Sequence, residues 1–124
     1  METIAFSLWG NRISPVFESS SQLHIVGLEY SRIIRQKTVS LHGLSRMSVI
    51  EALPQNGVDT LICGAITNVY ARMIEAQGIE VIGFISGEFR DVLRAYLSGT
   101  ITVNFSMPGC ARRRRRRRRG NNKI

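Results

Sequence analysis

The architecture follows most directly from the stretch Gly57-Val58-Asp59-Thr60-Leu61-Ile62-Cys63-Gly64-Ala65-Ile66. Its centre, residues 58–63, is a compact and largely apolar run, which is typical of a buried strand. Gly57 and Gly64 stand at its two ends, where glycine marks a change of chain direction. The stretch therefore predicts a strand that begins after a turn and ends abruptly at one edge of a sheet.

A helical period precedes this strand. Apolar side chains recur every three residues before Pro54, which predicts a short helix that begins at Gly43 or Ser45 and ends at the proline. The apolar positions are Leu44, Met47, Ile50 and Leu53.

Two more helices and one more strand are predicted after it. Thr67 or Asn68 is the expected cap of the second helix, and Gly78 is its expected end. Residues 79–85 follow as a short strand, and Ser86 is the expected cap of the third helix. The inner positions of the second helix are Val69, Met73 and Ile74. Those of the third helix, which ends at Gly99, are Phe89, Val92, Leu93, Tyr96 and Leu97.

The N-terminal part is predicted to contribute three strands, residues 4–8, 23–28 and 33–41. The last two are close enough in sequence to pair as an antiparallel hairpin. The later alternation of strands and helices implies parallel strands with right-handed crossovers. The predicted fold is therefore an α/β domain of three layers, α/β/α. Its five-stranded mixed sheet has mutually parallel strands at Ile4, Val58 and Ile79.

Charge divides the chain into two regions. The 124 residues carry 17 Lys and Arg against 9 Asp and Glu, a formal net charge of +8. Eight of the basic residues form one unbroken run, Arg112 to Arg119, whereas residues 1–111 hold eight basic and nine acidic side chains. A run of like charges stays solvated and does not pack. We therefore predict a folded domain over residues 1–103 and a disordered tail over residues 104–124.

Features of secreted and membrane proteins are lacking in the sequence. Its two cysteines are fewer than a small disulfide-stapled domain uses. The N-terminus has no basic region of the kind that begins a signal peptide. No window reaches the roughly 18 apolar residues that a membrane span needs. A cytoplasmic location is expected.

Four short motifs, taken in order, resemble one protein family. Residues 14–17, Ser-Pro-Val-Phe, are similar to the family's SPxFG loop, with Glu18 in place of the glycine. Residues 57–66 are similar to its GVDxxIxGGI segment, with Ala65 in place of the second glycine. Residues 78–82 resemble GIxVI, and residues 92–99 resemble VLxAYLxG. From Ile4 to about Ile101, the chain thus resembles the dinitrogenase iron-molybdenum cofactor biosynthesis family, of the NifX and NifB C-terminal-domain type.

This resemblance implies a ribonuclease H-like motif within the three-layer fold. It also implies a protein that binds metal clusters and catalyses no reaction. The best-understood members of the family carry or chaperone the iron-molybdenum cofactor or its iron-sulfur precursor. Members also occur outside nitrogen fixation, so the resemblance implies cofactor biosynthesis of a nitrogen fixation-like kind and no particular pathway.

The sequence offers no set of catalytic residues. A nuclease of the ribonuclease H type needs carboxylates at strand ends to hold two divalent metals. Residues 4–8 carry none, and Asp59 lies at the start of its strand. Walker loops, nucleophile elbows and HExxH motifs are lacking in the sequence. The glycines near Cys63 do not have the GxGxxG spacing of a dinucleotide site.

A ligand pocket is expected where the parallel strands end, because open α/β sheets bind ligands outside those ends. Three loops begin there, at residues 9–14, 63–68 and 85–88. Two of them lead into helices, whose N-terminal N–H groups favour anions. An anionic cluster, a phosphate or a small acid would each fit. The candidate binding residues are Asn11, Ser14, Cys63, Gly64 and Ala65.

The two cysteines are the candidate metal ligands. Cys63 is the stronger candidate, because thiolates suit iron-sulfur, copper and zinc sites and a nearby helix N-terminus lowers a thiol pKa. The same residue also fits a small buried core position. Cys110 lies in the tail and is either a second ligand that folds over the pocket or an incidental thiol. Because two thiols are too few for a four-cysteine site, a transiently bound cluster would need further ligands or a second subunit.

Three other side chains are of types that are common in functional sites. His24 lies within a predicted strand and His42 just after one, and both are interpreted as ordinary strand or surface residues. Trp9 is interpreted as a cap on the core, with an aromatic lip to the pocket beside Arg12 as the alternative.

The arginine run supports a second kind of function. It would neutralise phosphates and bind nucleic acid in a salt-sensitive manner. It would equally attract an acidic partner or an anionic cluster. A membrane surface would hold it only reversibly without a lipid anchor. A run with no role is the remaining alternative.

These observations support three hypotheses, in decreasing order of preference. The first is a carrier or scaffold for an iron-sulfur or iron-molybdenum-type cluster that exchanges its cargo with a donor or acceptor protein. The second is an adaptor that binds nucleic acid or an acidic partner through the polyarginine tail. The third is an enzyme that acts on a small anionic substrate.

Overall fold

The computed structural model describes residues 1–99, which form six strands, three helices and a short 3-10 turn. The strands are β1 (Glu2–Trp9), β2 (Arg12–Ile13), β3 (Gln22–Glu29), β4 (Arg32–Ser40), β5 (Thr60–Ile62) and β6 (Glu80–Ile82). The helices are α1 (Arg46–Gln55), α2 (Asn68–Glu75) and α3 (Phe89–Ser98), and the 3-10 turn is Phe17–Ser19.

One mixed sheet organises the described chain, with strand order β4-β3-β1-β5-β6. β1 is parallel to β5, and β5 is parallel to β6, as the alternation of strands and helices predicts. β3 is antiparallel to both β1 and β4, so the expected hairpin is confirmed. The predicted count of five strands omits β2, a two-residue strand that pairs with the end of β1.

Helices cover the sheet on both sides and create two cores. The first core lies between the sheet and the helices α1 and α2, and we call this side the α1/α2 face. The second lies between the sheet and α3, and we call this side the α3 face. Side chains of β1 alternate between the two, with Ala5 on the α1/α2 face and Phe6 on the α3 face. This arrangement is the predicted three-layer α/β/α fold.

Helix α1 begins as predicted and continues further than predicted. The side chain of Ser45 caps it by accepting a hydrogen bond from the backbone N–H of Ser48. Pro54 lies inside the last turn and does not end the helix, because a proline at that point lacks only one N–H donor and the helix closes at Asn56.

Two helix details differ from the sequence-based expectation. Val69 of α2 is exposed (64%), because it lies in the first turn beyond the cover of the sheet. The cap of α3 is Glu88 and not Ser86. On α3, Val92 is fully buried, whereas Leu93 and Leu97 are half-buried.

The described residues end before the tail. The expected domain boundary at residue 103, the segment 104–124 and the run Arg112 to Arg119 all lie outside them. Within residues 1–99, no helix is long and apolar enough to cross a membrane.

Candidate functional site

The loops that follow β2 and β5 are joined by backbone hydrogen bonds at the carboxyl ends of the parallel strands. The Ala65 N–H donates to the Pro15 carbonyl over 2.8 Å, and the Phe17 N–H donates to the Ala65 carbonyl over 2.8 Å. Gly64 passes so close to the first loop that an added Cβ would lie 2.3 Å from the Ser14 carbonyl oxygen. Only a glycine fits at this crossing.

The loop after β6 joins the same edge. The Phe84 N–H donates to the Gly64 carbonyl over 2.9 Å, and the Ile13 N–H donates to the Gly87 carbonyl over 2.9 Å. Phe84 holds a positive φ of 60°, which is rare for a bulky residue and costs about 1–2 kcal/mol. The three loops therefore form one continuous surface, which we call the strand-end edge (residues 9–18, 63–68 and 83–88).

Asn11 and Ser14 occupy different parts of this edge. Asn11 is exposed, and its backbone carbonyl accepts a hydrogen bond from the Phe89 N–H over 2.8 Å. Ser14 is buried, and its hydroxyl donates to the Val16 carbonyl over 2.8 Å. Asn11 is therefore available to a ligand at the surface, whereas the Ser14 hydroxyl is already used within the loop.

Cys63 lies beneath the loops on the α1/α2 face and is fully buried. Burial raises the pKa of its thiol far above the ordinary value, and the negative charge of Glu18 raises it further. The expectation of a lowered pKa is wrong, because loss of solvent around the thiolate outweighs the effect of the nearby helix start. At rest, Cys63 is a protonated thiol that packs in the core.

The start of α2 already carries a carboxylate. Glu18 accepts hydrogen bonds through Oε2 from the Thr67 N–H over 3.3 Å and from the Thr67 hydroxyl over 3.1 Å. Its other oxygen, Oε1, is buried and has no hydrogen-bond partner within residues 1–99. A carboxylate of the protein therefore already lies at Thr67, directly before α2, where the sequence predicts that a ligand anion would bind.

Ser7 is a third polar group at this position. Ser7 alternates with Phe6 along β1 and therefore lies on the α1/α2 face, the face that also holds Cys63. The Ser7 hydroxyl is fully buried and has no partner in the described part of the chain. The sequence contains a signal for it that our sequence-based reasoning missed: Ser7 is the one polar side chain in the apolar run 4–8.

The rim of the strand-end edge is apolar and exposed. Trp9 is 61% exposed, so the interpretation of Trp9 as a cap on the core is wrong. Val16 and Phe84 are also largely exposed on neighbouring loops. Arg12, next to Trp9 in the β1–β2 pair, is exposed as well, which favours the alternative of an aromatic and cationic lip.

The histidines lie away from this site, as interpreted from sequence. His24 is on the α3 face, where Nδ1 contacts the Thr38 hydroxyl over 2.9 Å and Nε2 contacts Gln36 Oε1 over 2.8 Å. Its ring packs edge-on against Phe89 with 4.8 Å between the ring centres. His42 is exposed just after β4.

The donor set of the site is small. Within residues 1–99, no three His, Cys, Asp or Glu side chains come together as a metal-binding group. Cys63 is the single free cysteine there, and Cys110 lies outside the described residues. The described residues therefore do not enclose a cluster by themselves.

Solved structures share this fold. The protein PH0822 superposes with a TM-score of 0.77 at 15% identity, covering 88% of this chain and 96% of its own. The apo form of the orange protein from Desulfovibrio gigas gives 0.68 at 19% identity, covering 88% and 94%. A Thermotoga protein assigned to the DUF35 family gives 0.66 at 21% identity, covering 88% and 100%.

Sequence comparison gives a family as well as a fold. No curated protein is significantly similar to the chain in sequence. A family model described as dinitrogenase iron-molybdenum cofactor matches residues 1–99. Because that match extends over every described residue, the chain belongs to the dinitrogenase iron-molybdenum cofactor family.

Proposed function

We propose that the chain is a non-catalytic carrier or scaffold for an iron-sulfur or iron-molybdenum-type cluster in cofactor biosynthesis. Membership of the family supports a role with this class of cofactor. The observation that carries the proposal is the position of a thiol, Cys63, directly beneath the loops of the strand-end edge. That is the edge at which open α/β sheets bind their ligands.

Cys63 is the proposed protein ligand, because iron in such clusters prefers thiolate sulfur. Gly64 and Ala65 lie directly after it, and the crossing at Gly64 brings the loop of Ser14 within van der Waals contact. Asn11 lies at the surface of the same edge. Cys110 is proposed as a second, conditional ligand.

The burial of Cys63 makes binding depend on a local opening. The cover consists of the Phe17–Ser19 turn and the loop after β5, so opening has to break the backbone hydrogen bonds that Ala65 makes with Pro15 and Phe17. A single thiol also holds a cluster weakly, which suits a protein that must pass its cargo to an acceptor protein. A cytoplasmic location remains part of this proposal, since free thiols persist in a reducing compartment.

Anaerobic reconstitution with iron and sulfide tests the function. We expect wild type to bind iron, Cys63→Ala to lose it, Cys110→Ala to lose part of it, and the double variant to bind least. Arg32→Ala is the control, because this exposed residue pairs with Glu29 at the opposite end of the sheet. Equal iron in all variants would exclude both thiols as ligands, and no iron in wild type would contradict the carrier function.

A further inference from the structure

The charge of the site is set by one residue that the resembled motif does not contain. Glu18 stands where that motif has glycine, and its carboxylate lies at the start of α2 on the N–H and hydroxyl of Thr67. The turn that carries Glu18 is joined to the loop after Cys63, because the Phe17 N–H donates to the Ala65 carbonyl over 2.8 Å. A fixed negative charge therefore lies where an anionic ligand would have to bind.

Two oxygens near the thiol have no partner of their own. Glu18 Oε1 and the Ser7 hydroxyl are both buried, and neither is hydrogen-bonded to any residue in the range 1–99. Ser7 is 0% exposed and lies on the α1/α2 face, which also holds Cys63. Leaving such a group without a partner costs about 1–3 kcal/mol. A carboxylate oxygen, a hydroxyl and a sulfur are donors to a metal ion.

We propose that Glu18 makes this site selective for a cationic metal centre. A bare thiophilic ion, or a cluster core with an open metal position, binds between the Cys63 sulfur and Glu18 Oε1, with the Ser7 hydroxyl as a supporting contact. The site does not bind anionic clusters in which every metal position is already filled by the cluster's own ligands. This proposal rests on the proposed function, which places the cargo at Cys63. It restricts the cargo to metal ions or clusters that have an open metal position.

The binding step is a simple exchange. The S–H bond of Cys63 breaks, a sulfur–metal bond forms, and the proton leaves to solvent without any change in oxidation state. Glu18 balances one positive charge of the metal, while its Oε2 remains on Thr67 and keeps the carboxylate in place. An anion would instead have to displace that carboxylate and stand next to the thiol without a compensating charge.

The test uses full-length protein with Cys110→Ser throughout and two simple probes of opposite charge. Cd²⁺ binding is followed by the sulfur-to-cadmium absorbance and by proton release, and molybdate binding is followed by calorimetry. We expect Cys63→Ser to abolish the absorbance and Glu18→Gln to weaken Cd²⁺ binding by about tenfold or more. We expect the same Glu18→Gln variant to bind molybdate more tightly, because it keeps the side-chain shape and removes the charge.

Glu75→Gln is the matched control, since it makes the same charge change at the other end of α2. It should leave both affinities as in the parent protein. Unchanged Cd²⁺ affinity in Glu18→Gln, or an equal effect of the control, would overturn the assignment of Glu18.

The inference and the proposed function fail separately. In one outcome, iron binding depends on Cys63, but Glu18→Gln changes neither the bound iron nor the Cd²⁺ affinity. This result would support the carrier function and overturn the role of Glu18. In the other outcome, Cd²⁺ binding depends on Cys63 and Glu18, but the protein takes up no iron and sulfide. This result would support the metal site and contradict the carrier function.

Discussion

The polar side chains on the two faces of the sheet differ in their hydrogen bonding. On the α3 face, His24 has a partner on each ring nitrogen, and the hydroxyl of Tyr96 donates to the carboxylate of Glu2. His24 and Tyr96 are half-buried, Glu2 is exposed, and each of the three has a hydrogen-bond partner. The α3 face therefore has the properties of a structural core.

The α1/α2 face ends in polar groups without partners. Ser7 and Glu18 each bury an oxygen that finds no hydrogen bond within the described residues, and Cys63 is buried on the same face. Native proteins leave few such groups unsatisfied, because each one lowers the stability of the fold. The difference between the faces is consistent with the proposed binding site on the α1/α2 face.

The largest expected effect tests the crossing that holds the strand-end edge together. Gly64→Ala would place a Cβ 2.3 Å from the Ser14 carbonyl and 2.5 Å from that of Pro15, so the backbone must move. We expect the free energy of unfolding to fall by about 3 kcal/mol, measured in urea. Gly83→Ala is the control, since its Cβ would lie 3.6 Å from the nearest atoms. Equal losses in the two variants would show that the crossing is not the constraint.

A second effect follows from the raised pKa of Cys63. Above the ordinary thiol pKa of 9.0, the unfolded chain releases this proton while the native chain keeps it. The native state then binds more protons than the unfolded state, so stability falls as pH rises, by up to about 1.4 kcal/mol per pH unit. In Cys63→Ser, the free energy of unfolding should decrease less steeply with pH, by up to the same amount of about 1.4 kcal/mol per pH unit. Urea unfolding between pH 8 and about pH 10 measures this slope. An unchanged slope would mean that the thiol is accessible to solvent.

The smallest effect compares two buried hydroxyls of the same site. Ser7→Ala removes a group without a partner in residues 1–99 and should raise the free energy of unfolding by up to about 1 kcal/mol. Ser14→Ala removes the donor to the Val16 carbonyl and should lower it by about 1 kcal/mol. Opposite signs would support a functional reason for Ser7. A loss of stability in both would show that the Ser7 hydroxyl has a structural partner.

The sequence predicts the fold because local signals and tertiary packing agree there. The apolar spacing of α3 and the cap at Ser45 are read from neighbouring residues, and both occur in the structure. The cap of α3 was missed because the preceding loop is held by bonds to residues 11 and 13, far away in the chain. Such a loop takes its conformation from its partners and not from its own sequence.

For the proposed site, the sequence indicates a position but not the chemistry. The rule for parallel strands gives the edge at which Cys63 lies, and the structure places three loops there. The protonation of Cys63 depends on burial and on Glu18, which approaches it only in the folded chain. Likewise, the burial of Ser7 and Cys63 on one face depends on the pairing of β1 with β5, which no local pattern reveals.

The proposal that iron binds between Cys63 and Glu18 is tested most directly by X-ray absorption at the iron edge of protein reconstituted with iron and sulfide. It should be recorded for the Cys110→Ser protein with and without Glu18→Gln. We expect iron in the Cys110→Ser protein to have sulfur neighbours together with an oxygen neighbour. We expect the oxygen signal to be lost or weakened when Glu18→Gln is added. A shell of sulfur alone that is identical in the two samples would contradict a metal held between the Cys63 thiolate and the Glu18 carboxylate.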